Sequence, residues 1–139
     1  MQKVDEQTIV AVMERVSSQM NDAQFVTDQV NLVRDWQPQI TQYVIGCRGT
    51  LSAEALVSVL FLLSVVYQAI VEADGGRKRR QVTYAELDAA ANSVPNLEAL
   101  AKTEPDLANY IFSNIEPDYP ADLSAALAHA ARALLDGAR

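Results

Sequence analysis

One cysteine, Cys47, and one histidine, His129, are all the sequence holds of the side chains most used for metal ligation and nucleophile–base chemistry. A lone thiol closes no disulfide framework, and one histidine and one cysteine on separate segments have no metal-ligand spacing. Basic residues are also scarce, 11 against 18 acids, for a formal net charge of -7. That deficit excludes wholesale nucleic-acid binding, which needs a basic footprint to displace counterions from phosphates. The apolar–polar alternation of half-buried strands is missing throughout. Pro95, Pro105 and Pro120 each precede a short apolar pattern, but their spacings of ten and fifteen residues match no solenoid period. The first residues, Met1-Gln2-Lys3-Val4-Asp5-Glu6, are charged and run straight into a helical pattern with no apolar leader. With the single thiol, this gives the cytoplasm as the expected location.

What is present is helical pattern. Half of the 139 residues are apolar, and a chain of this length buries roughly 70% of its unfolded surface in one domain. A single helical domain over 1–139 is therefore expected. Ile9, Val12, Met13, Val16 and Met20 make one apolar stripe and predict a helix over 5–20. Asn21-Asp22 caps a second helix, with Val26, Val30 and Val33 on one line and Phe25, Leu32 and Trp36 on the next, ending near Gln37. Pro38 suits the first position of a third helix, whose buried line is Ile40, Tyr43, Val44 and Cys47. Thr50 or Ser52 caps a fourth, about 51–73, the most apolar in the chain. Gly75-Gly76 ends it, Thr83-Tyr84-Ala85-Glu86 has the form of a capping box for a fifth, and the three prolines each mark the first turn of a later one. The expected fold is all-α, an irregular bundle of seven to eight helices around the hydrophobic helix 51–73.

Charge is unevenly placed. Residues 1–76 carry a net -5 and residues 81–139 a net -6, while Arg77-Lys78-Arg79-Arg80 concentrate +4 in one turn. The charge-free run Ala55 to Val71 followed by this tetrad has the outline of a membrane span with a positive flank. It reaches only about 25 Å at 1.5 Å per residue, and it contains Ser58, Ser64 and Gln68, so a central core helix is the expectation. The stretch from Asp74 to Leu87 also fails as a calcium loop. With Glu86 at the bidentate twelfth position, Gly75, Arg77 and Arg79 would stand where oxygen ligands belong, and Arg80 where the turn glycine belongs.

Few residues remain for function. Cys47 continues an apolar line and reads as a buried structural thiol; His129 shares a face with Asp122, Arg132 and Asp136 and reads as solvated. Glu54, Ser58, Phe61, Val65, Gln68 and Glu72 form a seam along the long helix, polar at its ends and apolar at Phe61 and Val65; something should cover that patch, either a neighbouring helix of the same chain or, with Phe61 and Val65 as a possible interface, a partner chain or second copy. Arg77, Lys78, Arg79 and Arg80, read as an exposed, solvated turn, are the possible contact for an anion or partner. No catalytic residue, cofactor site or metal site is assigned. The expected function is a non-enzymatic protein–protein interaction or regulatory module, with a protein partner or a homodimer and neither nucleic acid nor membrane as partner. Two alternatives stand beside it: a small-molecule-binding domain with a pocket lined by Tyr43, Tyr67, Tyr84 or Trp36, and an acidic protein neutralising a basic partner.

Overall fold

A computed structural model of the chain describes residues 3–46 and 51–137. Among them are eight helices and no strand: α1 (Glu6–Ser17), α2 (Ala23–Trp36), α3 (Pro38–Ile45), α4 (Ala53–Ala73), α5 (Tyr84–Ser93), α6 (Leu97–Ala101), α7 (Pro105–Ser113) and α8 (Leu123–Asp136). The all-α bundle around the apolar helix is the observed fold. Its helix starts follow the sequence. Asp22 accepts from the Gln24 and Phe25 amides, Ser52 from the Ala55 amide, and Thr83 and Glu86 close the expected capping box. Pro38 and Pro105 occupy first turns. Pro95 and Pro120 do not, because Asn96 and Asp122 are the N-cap residues of α6 and α8. The chain leaves α4 through Gly75 and Gly76 at φ 67° and 83°, a left-handed pair in which any Cβ would be strained.

The core is organised by two helices rather than one. α4 packs on α1, α2, α7 and α8, while α8 is flanked by α3, α4, α5, α6 and α7. Ten of the 21 residues of α4 are buried, among them Leu63, Val66 and Ile70. By length and composition α4 could also cross a membrane; in this fold it is wrapped by helices of its own chain. α8 buries nine of its 14 residues, and alanines at 126, 128, 130, 131 and 133 let its neighbours approach closely. The α1 stripe is narrower than expected, with Ile9, Val12 and Val16 buried but Met13 and Met20 exposed. Trp36 is 49% exposed, because α2 ends there and the ring lies beneath the ammonium of Lys78, 5.3 Å from its centroid.

Connections are held by buried polar side chains aimed at backbone. The Gln37 side chain is fully buried; its Nε2 donates to the Arg80 carbonyl at 2.8 Å and its Oε1 accepts from the Val82 amide at 2.9 Å. One carboxamide thus bonds two backbone groups of segment 80–82. Gln39 accepts from the Tyr84 amide, and the Arg80 amide donates to the Gly137 carbonyl. At the other end of the chain, Glu104 accepts from the Val4 amide at 2.8 Å and Asp106 from the Glu6 amide at 2.9 Å, fastening the N-terminal segment to the start of α7. Inside, Gln29 Nε2 donates to Ser64 Oγ, which donates to the Phe61 carbonyl, a short chain of bonds that seats α2 on α4. Replacing Gln37 with Leu strands a buried N–H and a carbonyl, and is expected to lower unfolding free energy in urea by about 2 kcal/mol or more. An unchanged denaturation midpoint would mean that segment 80–82 is not held this way.

Candidate docking groove

Two of the residues expected to form an interface lie along α4, and the structure separates them. Val65 is 1% exposed, buried by the chain's own helices, and is therefore no interface residue in this fold. One polar end of its seam is tied to α1, since Arg15 bonds both Gln68 and Glu72, while Glu54 and Ser58 at the other end are exposed. Phe61 is half-buried and lines a small cleft with Met20, Val57, Tyr110 and Tyr119. Burial holds the Tyr110 hydroxyl in its neutral form, its pKa pushed up to about 12.

The basic tetrad is likewise divided. The expected solvated turn holds for Arg77 and Lys78 only. The Arg79 side chain is fully buried, bonded to Asp74 Oδ2 at 2.8 Å and directed at the Ile70 carbonyl in the last turn of α4. It closes the negative end of that helix from beneath. Arg80 pairs with Glu86, and Arg77 stands 3.6 Å from Asp74 with most of its side chain in solvent. The hydrogen bond from Arg79, assisted by the charges of Arg77 and Arg79, holds the Asp74 carboxyl below its usual 3.8. Cys47 lies outside the described residues.

His129 is half-buried, with both ring nitrogens engaged by the protein. Its Nε2 meets the Pro95 carbonyl at 3.0 Å and its Nδ1 meets the Tyr43 hydroxyl at 2.7 Å, with the two rings stacked at 5.9 Å. Only an N–H can face a carbonyl oxygen, so a neutral imidazole carries its proton on Nε2 and accepts from Tyr43 at Nδ1. Burial, and secondarily the charge of Asp88, raise the Tyr43 pKa, so the phenol is held in its protonated form and is no base. Tyr43, Tyr84 and His129 share a cleft with Gln42 and Asp122. Two of the four aromatic residues expected for a ligand pocket thus come together there, whereas Tyr67 is in the core and Trp36 is on the surface beside Lys78. Among the described residues, no group of three or more His, Cys, Asp or Glu side chains is placed to hold a metal ion.

An open groove of about 960 Å³ lies between α6 and α7. Leu97 and Ala101, four apart, line it from α6; Pro105, Ala108 and Phe112 line it from one face of α7. Ile115 and Ser124 complete its wall. The adjacent flank of α7, with Leu107 and Ile111, is buried in the core together with Ala108. α7 is therefore apolar on two sides, and Phe112 is left 71% exposed, the most exposed large apolar side chain among the described residues. Of the acids between residues 94 and 122, Glu98 lines the groove, whereas Glu104 is buried on the Val4 amide, Asp106 accepts from the Glu6 amide, and Glu116 and Asp122 line other clefts. Phe112 stands one residue past Ile111, off the buried line of α7, so helical periodicity alone does not single it out.

Comparison with protein-family models, with curated proteins and with solved structures gives no match. Function therefore rests on the geometry of these sites. The Asp74–Arg79 pair gives a pH test of the loop. A lowered folded-state pKa stabilises the protein above about 3.8, and that contribution disappears as pH falls through the folded value. Asp74→Asn is expected to be less stable than wild type at neutral pH, with the gap closing as acid protonates the wild-type carboxyl. A gap that stays constant down to pH ~2 would show that the pair does not titrate as described.

Proposed function

We propose that the protein is a non-enzymatic docking module whose α6–α7 groove receives a basic segment carrying an exposed apolar anchor. The observation that carries this reading is Phe112, standing 71% exposed on a groove walled by small and aliphatic residues. An aromatic ring left in water beside an apolar wall is a place where covering the surface releases free energy, and aromatic residues are the commonest anchors of interfaces. The polar groups at the groove, Asn96, Glu98, Asn109 and Ser113, provide the rim that fixes orientation. Glu98 on the lining, in a chain of net charge -7, favours a cationic partner and speeds its approach. This favours a basic protein partner, in accord with the net charge, and gives the neutralising role of an acidic protein a definite surface. The exposed acids also argue against anionic partners such as nucleic acid or an acidic membrane surface.

The Tyr43–Tyr84–His129 cleft supports a second reading, a site for a small polar molecule. It is weaker, because the hydrogen bonds of Tyr43 and His129 are already spent within the protein. The test of the first reading is a synthetic helical peptide with leucines at i, i+3 and i+7 beside lysines, titrated against the protein by fluorescence anisotropy. Binding that weakens with salt and falls about tenfold or more in Phe112→Asp is expected. Equal binding by wild type and variant, or preference for the same peptide with glutamates in place of lysines, would overturn the proposal.

A further inference from the structure

We infer that the cleft between α2 and α7 is a binding site for a small amine with an apolar body. Both helices pack on α4, and between them, over the N-terminal half of that helix, lies a concavity of about 360 Å³. Sites for small molecules run from roughly 300 to 1,000 Å³. No residue lines both this cleft and the α6–α7 groove, so the two surfaces are independent. Its walls are apolar and aromatic. Leu62 is buried, and Phe61, Tyr110 and Tyr119 each leave part of a ring uncovered along the cleft.

The polar groups decide what such a pocket takes. Glu116-Pro117-Asp118-Tyr119 is a turn in which the proline presets the second position and the Tyr119 amide donates to the Glu116 carbonyl at 3.1 Å. That turn brings an exposed carboxylate and a ring to the same cleft. Asn114 spends its Nδ2 on the Tyr110 carbonyl at 2.8 Å, which leaves its Oδ1, an acceptor. The Tyr110 hydroxyl makes no hydrogen bond among the described residues, and burial pushes its pKa up to about 12, so it stays a neutral phenol with lone pairs to offer. Ser58 adds a second hydroxyl, and no basic side chain lines the cleft among the described residues. Several acceptors, one negative charge and three ring walls match an ammonium group, which donates up to three hydrogen bonds and is drawn to aromatic faces. A carboxylate or phosphate would meet Glu116 with no cation to offset the repulsion. An alcohol of the same shape would fill the walls but forgo the charge.

The experiment titrates the full chain at neutral pH with three probes that share one phenyl body, 2-phenylethylamine, 2-phenylethanol and phenylacetate, and follows backbone amides by nuclear magnetic resonance. The amine is expected to shift amides within 57–62 and 110–119 saturably, the alcohol to do so more weakly, and phenylacetate to leave them unchanged. Glu116→Gln, at an exposed position, is expected to weaken the amine about fivefold and leave the alcohol as it was. Tyr110→Phe is expected to weaken both about fivefold while keeping the wild-type denaturation midpoint, because the hydroxyl it removes bonds nothing in the protein. Absence of saturable shifts with the amine overturns the inference, as do shifts confined to other parts of the chain or phenylacetate binding as tightly as the amine. An unaltered preference for amine over alcohol in Glu116→Gln overturns it too, since the carboxylate then selects nothing. A lowered midpoint in Tyr110→Phe would contradict it as well, by showing that the hydroxyl is already used within the fold.

Discussion

Seventeen consecutive residues without a charge, Ala55 to Val71, impose the constraint on which the rest of this structure depends. A helix apolar on nearly every side has little surface suited to solvent, so other helices must lie around most of it. Four do: α1, α2, α7 and α8. The same wrapping turns Phe61 and Val65 from a seam between copies into a cleft wall and a core residue. It also frees the remaining apolar surface to gather elsewhere. α7 faces α4 and α8 with Leu107 and Ile111 and has nothing to cover Phe112 on its other side.

Wrapping one helix with short ones leaves many chain ends, and each exposes backbone groups that must be satisfied. Here the solution is long polar side chains brought into the interior to meet backbone: Gln37 on segment 80–82, Glu104 on Val4, Arg79 on the end of α4. Each joins residues distant in sequence or closes a helix end. The loop after α4 illustrates how this sorts like charges into different roles. Four consecutive bases look equivalent, yet one is buried as an anchor, one pairs with Glu86, one stands exposed beside Asp74, and one lies over the Trp36 ring.

Local grammar explains what the sequence disclosed. Caps at Asp22, Ser52 and Thr83, the prolines at 38 and 105 and the glycine pair at 75–76 act within a turn or two, and each falls at the element boundary its chemistry implies. What escaped was set by tertiary partners. Periodicity places His129 on a polar face, but Tyr43 and the Pro95 carbonyl arrive from elsewhere in the chain and claim both ring nitrogens. Trp36 sits on an apolar line whose last position has no neighbouring helix. The groove was invisible because it needs α6 and α7 side by side, a relation set by packing on α8.

The central claim is that α4 is enclosed by its own chain, leaving the α6–α7 groove as the principal uncovered apolar surface. Native-state amide exchange tests it most directly. Residues 59–70 of α4 are expected to exchange slowest and only through global unfolding, at rates independent of protein concentration, while α6 and the end of α7 exchange by local opening. Protection of α4 that grows with protein concentration would contradict this, since it would mean that another copy, not α1, α2, α7 and α8, keeps water from the central helix.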